Sequence, residues 1–321
     1  MKGLHSRTHT GGYGIFFLIV SLRTMMNRMQ MKRFLALLFS SLTISQVFAQ
    51  RDTLLPARNL CRQGRWVLVF EDEFNYRNLD RKKWNTWFPY SEDGSDSCEF
   101  CRTHGAEGQV YSDANVITSG GTLKLIARRE PATWYDSRRE FTSGMIHSKQ
   151  AFGYGRYEIR CKLPEGNGFW PAFWMFGQKA TEIDVLEAGT QKPRHLHLGI
   201  RTWANGNKFD KGLRSRTRLT RGFHTYAMEW DENFIRFEVD SLEVWRITRY
   251  LDKRGKTLKR CEINAGRYRL QPAWPPEGER LQIIVNLAIG TETTPFTKSP
   301  GEKTMLPNQM EVDWIRVYEK R

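Results

Sequence analysis

Apolar and polar residues alternate along several segments of this chain, and this period of two constrains the fold more than any other feature. Tyr157, Ile159, Cys161 and Leu163 alternate with charged residues, and the same pattern recurs over 235–240. Side chains of a strand point alternately to its two faces, so both segments are predicted to be half-buried strands.

The whole chain is predicted to be all-β. Residues 283–289 are apolar on both faces, as in a strand in the middle of a sandwich. Beyond residue 49, no stretch sustains the 3.6-residue period of an amphipathic helix, and no linker rich in Pro, Gly or Ser interrupts the sequence. Many short strands without a linker indicate a single β-sandwich or jelly roll.

Three carboxylates lie within six residues, in the run E-I-D-V-L-E formed by residues 182–187. The aliphatic residues between them favour a strand, on which Glu182 and Asp184 share a face. Glu187 follows Glu182 by an odd number of residues, so a regular strand would turn it to the other face. One extra residue in a β-bulge would turn it back, and we therefore predict a bulge near Val185 and Leu186.

Carboxylates this close together oppose one another's ionisation and separate their pKa values. Such a pair can supply one nucleophile and one proton donor, the combination used in glycoside hydrolysis. The simpler alternative is an ordinary strand with three solvated acids. The preceding run, residues 168–177, holds two Trp and three Phe. Aromatic rings beside carboxylates are typical of sugar sites, because the apolar face of a pyranose stacks on a ring, although core packing is also consistent with this run.

The segments W-P-A-F-W-M-F-G and E-I-D-V-L-E resemble glycoside hydrolase family 16, the laminarinase and lichenase group. Segments 68–75, 152–160, 281–288 and 312–318 resemble the family in the same order, so that the resemblance covers about residues 65–319. The E-x-D-x-x-E spacing is similar to the bulged branch, which holds laminarinases, agarases and carrageenases. The resemblance implies a β-jelly-roll sandwich, concanavalin A-like, with an open concave cleft.

The resemblance also implies roles for individual residues. Glu182 matches the nucleophile, Glu187 the general acid/base and Asp184 a residue between them that tunes both, in a double displacement that retains configuration. The residues that match substrate-binding positions, or are candidates for stacking on sugar, are Trp170, Trp174, Asn115, Arg156 and His197.

Catalysis of this kind needs no cofactor. Glu73, Gly121 and Asp313 resemble a structural calcium site of the family, formed by the two ends of the chain away from the cleft. Oxygen ligands suit Ca²⁺, and the alternative for the two acids is a solvated surface position.

The N-terminal 49 residues are expected to lie outside the catalytic domain. Residues 31–49 have a short basic start, an apolar run and a small-residue cleavage pattern ending at Ala49, which are typical of a secretory signal peptide. Residues 1–30 are interpreted as an upstream extension, and a long leader or membrane anchor is the alternative. Residues 50–321 then form a single catalytic domain that is secreted, periplasmic or at the cell surface.

The formal net charge of the chain is +15, of which residues 1–49 carry six Lys or Arg and no acid, leaving +9 for the remainder. No nucleic-acid-binding motif accompanies this charge, so nucleic acid is not expected as a partner. One basic cluster stands out, with only Asp210 opposing it: Arg201, Lys208, Lys211, Arg214, Arg216, Arg218 and Arg221. It is either a solvated loop or a rim that tolerates an anionic polysaccharide.

The chain contains five cysteines. Cys161 lies on a predicted strand and is expected to be a buried small hydrophobe. Cys98-x-x-Cys101 is half of a zinc motif without a second half. A disulfide between this loop and Cys61 or Cys261 is a possible pairing in an exported protein, but spacing does not decide it.

We therefore expect a secreted retaining endo-β-glycosidase, acting as a monomer on internal β-1,3 or mixed β-1,3/1,4 linkages of a glucan. Two departures from the family pattern weaken the assignment to β-1,3-glucan more than the assignment to hydrolysis. They are the short connection between Trp174 and Glu182 and Thr291 in place of a second Gly. The alternatives are a hydrolase of galactans such as agar or carrageenan, and a glucan-binding protein without turnover.

Overall fold

A computed structural model describes residues 53–61, 64–258 and 261–321. The expected upstream extension and signal peptide lie outside these residues. Within them the structure is almost entirely β, with one short 3-10 helix, Asp113–Asn115. The strands in chain order are β1 (Thr53–Leu55), β2 (Arg58–Asn59), β3 (Trp66–Asp72), β4 (Trp84–Asn85), β5 (Gln109–Tyr111), β6 (Val116–Ser119), β7 (Thr122–Ala127), β8 (Ala132–Trp134), β9 (Ser137–Arg139), β10 (Phe141–Ser143), β11 (Met145–Phe152), β12 (Gly155–Lys162), β13 (Phe169–Gly177), β14 (Thr181–Glu187), β15 (His195–Thr202), β16 (Asn207–Arg214), β17 (His224–Trp230), β18 (Phe234–Val239), β19 (Leu242–Thr248), β20 (Tyr250–Leu251), β21 (Glu262–Ile263), β22 (Gly266–Leu270), β23 (Leu281–Ile289) and β24 (Asn308–Lys320).

Two large antiparallel sheets form the domain. One has seven strands in the order β16-β15-β14-β13-β23-β11-β4. The other has eight, in the order β19-β18-β17-β12-β24-β7-β6, with β3 also paired to β24. This arrangement confirms the prediction of an all-β jelly-roll sandwich.

The main hydrophobic core contains side chains from both sheets. The alternation along β12 puts Tyr157, Ile159 and Cys161 into this core, and along β13 it does the same for Phe173 and Met175. Cys161 is free and fully buried, as predicted. The alternate side chains of β13, such as Trp170 and Trp174, are therefore left for the outer face of the seven-stranded sheet.

The predicted bulge lies in β14. Asp184 pairs with Trp174 and Leu186 pairs with Phe173, so Val185 is the extra residue on this strand. Both Val185 and Leu186 pack into the core. Glu187 is consequently returned to the face of Glu182 and Asp184, which confirms the prediction made from the odd spacing.

The structure decides the disulfide pairing, which the spacing of the cysteines left open. The structure joins Cys61 to Cys261 and Cys98 to Cys101. The short strand β2 pairs with β21, and this pairing brings Cys61 beside Cys261. The pairing of the 98–101 loop with Cys61 or Cys261, which the spacing left open, is therefore not the one that forms. In the described part of the chain, no helix is long and apolar enough to cross a membrane.

Replacing Cys61 and Cys261 together by Ala is expected to lower the free energy of unfolding by about 2–5 kcal/mol, because this bond restricts the unfolded chain over a long loop. The bond joins residues 200 positions apart, whereas Cys98 and Cys101 are only three apart. Urea unfolding of the two double Ala variants tests this. Equal losses from both pairs would contradict the loop-length argument.

Candidate active site

A cleft of about 620 Å³ lies on the outer face of the seven-stranded sheet. Strands β13, β14 and β23 form its floor, and loop residues such as Tyr90, His104 and Phe296 form its walls. Five of the residues predicted to be catalytic or to bind substrate line it, namely Trp170, Trp174, Glu182, Asp184 and Glu187, and so do Arg201 and Lys208 of the basic cluster.

The three carboxyl groups differ in environment. Asp184 is 2% exposed, and burial together with the charge of Glu182 raises the pKa of Asp184 to about 8. Burial, reinforced by the charge of Asp184, also raises the pKa of Glu187 well above its usual range. Glu182 is ion-paired with Arg201. The site therefore holds an ion-paired Glu182 on one side, and Asp184 and Glu187 are two carboxyl groups that bind their protons more tightly than usual.

Arg201 lies across from Glu182 in the pairing of β14 with β15. Its Nη1 donates to Glu182 Oε1 at 2.6 Å and also contacts Asp184 Oδ2, while its Nη2 lies 3.2 Å from Asp210 Oδ1. Burial by itself lowers the pKa of the Arg201 guanidinium, but the negative charges of Asp184 and Glu182 outweigh this effect and raise the pKa. In the sequence Arg201 was only one member of a basic cluster, because nothing local showed which residue of β15 would face Glu182.

Aromatic side chains surround the carboxyl groups. Trp170 and Trp174 share the cleft face, as their even spacing on a strand requires. The Trp174 indole donates to Asn286 Oδ1 at 2.8 Å, and the Trp170 ring meets Phe296 edge-on at 4.9 Å. Trp203 is 58% exposed and donates its indole N–H to Glu182 Oε2 at 2.9 Å.

A buried polar network under the cleft was not found from the sequence. Glu107 Oε2 accepts hydrogen bonds from Gln109 Nε2 at 2.5 Å and from the Tyr111 hydroxyl at 2.9 Å. Asn286 Nδ2 donates to that hydroxyl, so the network continues to Trp174. Burial raises the pKa of Glu107. Glu107, Gln109 and Tyr111 lie within five residues of one another, but Asn286 on β23 is far from them in sequence, so no single motif contains the whole network.

Two residues matched to substrate-binding positions lie elsewhere. Asn115 is fully buried, and its amide donates to the Ile126 carbonyl and to Thr142 Oγ1. It therefore holds strands together and is not among the residues that line the cleft. Arg156 is on β12 in the other sheet, where it pairs with Glu158 and Glu238. The core alternation of β12 turns Arg156 to the outer face of that sheet, away from the cleft.

His197 lies on β15 directly across from Glu187. Its ring is 4.4 Å from the ring of Phe296, a residue of the cleft wall. Burial lowers the pKa of His197, so the ring is neutral at neutral pH. The position beside Glu187 agrees with the resemblance, while its role in binding stays a prediction.

The residues expected to bind calcium do not form a suitable set. Glu73 is paired with Arg316 and Asp313 with Arg160. Among the described residues, no group of three His, Cys, Asp or Glu side chains could hold a metal ion. With both carboxylates engaged by arginines, the arrangement does not fit a calcium ion.

The chain is similar to several known proteins. The sequence profile described as Glycosyl hydrolases family 16 matches residues 106–273. A beta-glucanase of Rhodothermus marinus is 32% identical over 79% of this chain and 85% of its own length. A glucan endo-1,3-beta-glucosidase of Cryptopygus antarcticus is 33% identical over 79% of this chain and 93% of its own. The crystal structure of a laminarinase from Flavobacterium sp. UMI-01 superposes with a TM-score of 0.61, at 30% identity, over 79% of this chain and 100% of that one.

Asp184→Asn is expected to change the pH dependence of stability. The pKa of Asp184 rises from 3.8 to about 8 in the folded protein, so the folded state binds this proton more tightly than the unfolded state. The stability contributed by this group is complete below the lower value and is lost as pH rises towards the higher one. The variant escapes this loss, so its melting temperature relative to the parent should increase between pH 4 and pH 8.

Thermal unfolding across that pH range measures this effect. Asp136→Asn, at an exposed position, serves as the control and should follow the parent at every pH. A constant difference between Asp184→Asn and the parent would contradict the assignment of a buried, protonated carboxyl group.

Proposed function

This chain belongs to glycosyl hydrolases family 16, and on that premise we propose that it is a retaining endo-β-glycosidase that hydrolyses internal β-1,3 or mixed β-1,3/1,4 linkages of a glucan. The observation that carries the proposal is the bulge in β14, which puts Glu182, Asp184 and Glu187 on one face of an aromatic-lined cleft. The printed names of the beta-glucanase, endo-1,3-beta-glucosidase and laminarinase relatives support glucan as the substrate.

The different environments of the carboxyl groups support a division of roles. The Glu182 carboxylate would attack the anomeric carbon while the glycosidic C–O bond breaks and the Glu187 proton passes to the departing oxygen. Water would then give a proton to Glu187, and its oxygen would displace Glu182 from the sugar. Every proton and bond is handled by these two groups, so the reaction needs no cofactor.

The aromatic residues of the cleft suit a polysaccharide. Trp170 and Trp174 lie on the floor beside the carboxyl groups, and Trp203 stands exposed on the side of Glu182. Rings that flank the reacting groups can stack on sugar units on either side of the scissile bond. We propose that these contacts hold an internal stretch of the chain, which gives endo cleavage.

The basic cluster favours a second candidate, a hydrolase of an anionic galactan. Register with β15 places Lys208 and Arg214 on the cleft face of the edge strand β16, whereas Lys211 is on the opposite face. Arg214 is exposed, as are Arg216, Arg218 and Arg221, and none of these four forms an ion pair with another described residue. The unpaired Arg214 on the cleft face of this edge strand would attract sulfate or carboxylate groups, whereas Arg221 lines a separate pocket.

Export through residues 31–49, with cleavage after Ala49, is part of the proposal and is supported by the basic, apolar and small-residue pattern of that segment. Binding of glucan without turnover is less well supported, because all three acids are present together in the cleft.

Glu182→Gln and Glu187→Gln are each expected to lower turnover of polysaccharide by about 10³-fold or more, while the fold is kept. A substrate with a good leaving group distinguishes the two roles. On a dinitrophenyl glycoside, the first step should survive in Glu187→Gln, because no proton is needed, and should fail in Glu182→Gln. Glu302→Gln, at an exposed position, is the control. Full activity of Glu182→Gln on polysaccharide would refute the assignment.

Reducing-end release from laminarin, lichenan, agarose and κ-carrageenan decides between the substrates. Release from laminarin or lichenan is expected, with oligosaccharides as early products because cleavage is internal. Release from agarose or carrageenan alone would favour the galactan candidate. No release from any of the four, combined with retention of the protein on insoluble glucan, would indicate binding without hydrolysis.

A further inference from the structure

We propose that Arg201 is a positioning residue for the nucleophile, and that the guanidinium of Arg201 and the indole of Trp203 together fix the two oxygens of the Glu182 carboxylate. The inference rests on the proposed function, since it assigns a partner to the group that attacks the sugar.

Both oxygens of Glu182 have a donor. Arg201 Nη1 lies 2.6 Å from Oε1, and Trp203 Nε1 lies 2.9 Å from Oε2. Two donors on one carboxylate fix its position and its rotation, which a single hydrogen bond would leave free. The lone pair that must face the anomeric carbon is thereby held in one direction before substrate arrives.

Arg201 is itself held from several sides. Its side chain is 21% exposed, and it contacts Asp184 on β14 and Asp210 on β16 in addition to Glu182. Gly199 pairs with both of those aspartates. A Cβ on Gly199 would clash with Asp184 Oδ2 and lie 3.2 Å from Arg201 Nη1. The absence of a side chain at this position leaves room for the arginine to reach across to the acids.

The charges are distributed unevenly over the three acids. Arg201 forms ion pairs with Glu182 and Asp184. Among the described residues that line the cleft, the only other Lys or Arg is Lys208, which lies 3.7 Å from Asp210. Glu187 forms no ion pair with a described cation, and His197 across from it is neutral because burial lowers the pKa of the ring. The ion pairs of the cation are therefore confined to Glu182 and Asp184, while burial raises the pKa of Glu187, so that Glu187 retains its proton.

Removal of this cation has a consequence that packing alone would not produce. The charge of Arg201 lowers the pKa of both Asp184 and Glu187, against the effects of burial and of neighbouring acids. Without it both pKa values rise further. The loss of activity at alkaline pH, which reports deprotonation of Glu187, should then move to higher pH.

The test compares Arg201→Gln with Arg201→Lys, and uses Lys211→Gln as the matched control. Lys211 is also a cation of the β15–β16 hairpin but lies on the face away from the cleft.

For Arg201→Gln we expect kcat on the polysaccharide to fall about 10²-fold, the cost of a misplaced reacting group, with little change in KM. The pH at which kcat/KM declines on the alkaline side should rise by about one unit. Arg201→Lys keeps the positive charge. In this variant the alkaline decline in kcat/KM should occur at the same pH as in the unmodified enzyme, and part of kcat should be recovered.

Trp203→Phe keeps the ring and removes the N–H, and it is expected to lower kcat about tenfold, the effect of one hydrogen bond to a charged group. Because Trp203 is exposed, this variant decides the matter even if Arg201→Gln fails to fold. Full kcat in Trp203→Phe would then overturn the proposal.

A fall in activity with no shift of the alkaline decline in kcat/KM and no recovery in Arg201→Lys would show a merely structural role and overturn the proposal. So would an Arg201→Gln enzyme that matches Lys211→Gln. An unmodified protein that hydrolyses none of the polysaccharides would instead refute the proposed function, so the two failures are distinguishable.

Discussion

The active-site cleft depends on one extra residue in strand β14. Val185 is the residue without a partner in the pairing with β13, and it packs into the core together with Leu186. A regular strand would have pointed Glu187 into that core, where an unpaired carboxylate would cost several kcal/mol. The bulge places the acid in the cleft and two aliphatic side chains in the interior, so the same displacement satisfies both the core and the site.

The second constraint is electrostatic. Three acids on one strand face, two of them buried, cannot all be ionised without a counter-charge. The fold supplies that charge from the neighbouring strand β15, through Arg201, which forms ion pairs with Glu182 and Asp184, whereas Glu187 forms none with a described cation. This asymmetry puts two glutamates five residues apart in different electrostatic environments, which is the condition for a nucleophile and an acid to work together.

Much of the fold and part of the site could be predicted because they depend on local periodicity. Alternation fixed which residues of β12 face the core, and even spacing put Trp170 and Trp174 on one face. Positions matched one at a time by resemblance were less reliable. Asn115 satisfies backbone and hydroxyl partners inside the sandwich, and Arg156 is paired on the outer face of the other sheet. These side chains bond to partners such as Thr142 and Glu238, which lie outside the short motif that contains Asn115 or Arg156.

The sequence by itself determined the strands, the bulge and the three carboxylates on one face, because side-chain direction along a strand follows from counting residues. Only the tertiary structure decided which cation meets Glu182, which cysteines pair and which loop side chains enclose the cleft. Those contacts depend on strand register and on loop paths. The strand register pairs residues that are distant in sequence, such as Glu182 and Arg201. That register is stabilised by the packing of whole sheet faces and not by any local motif.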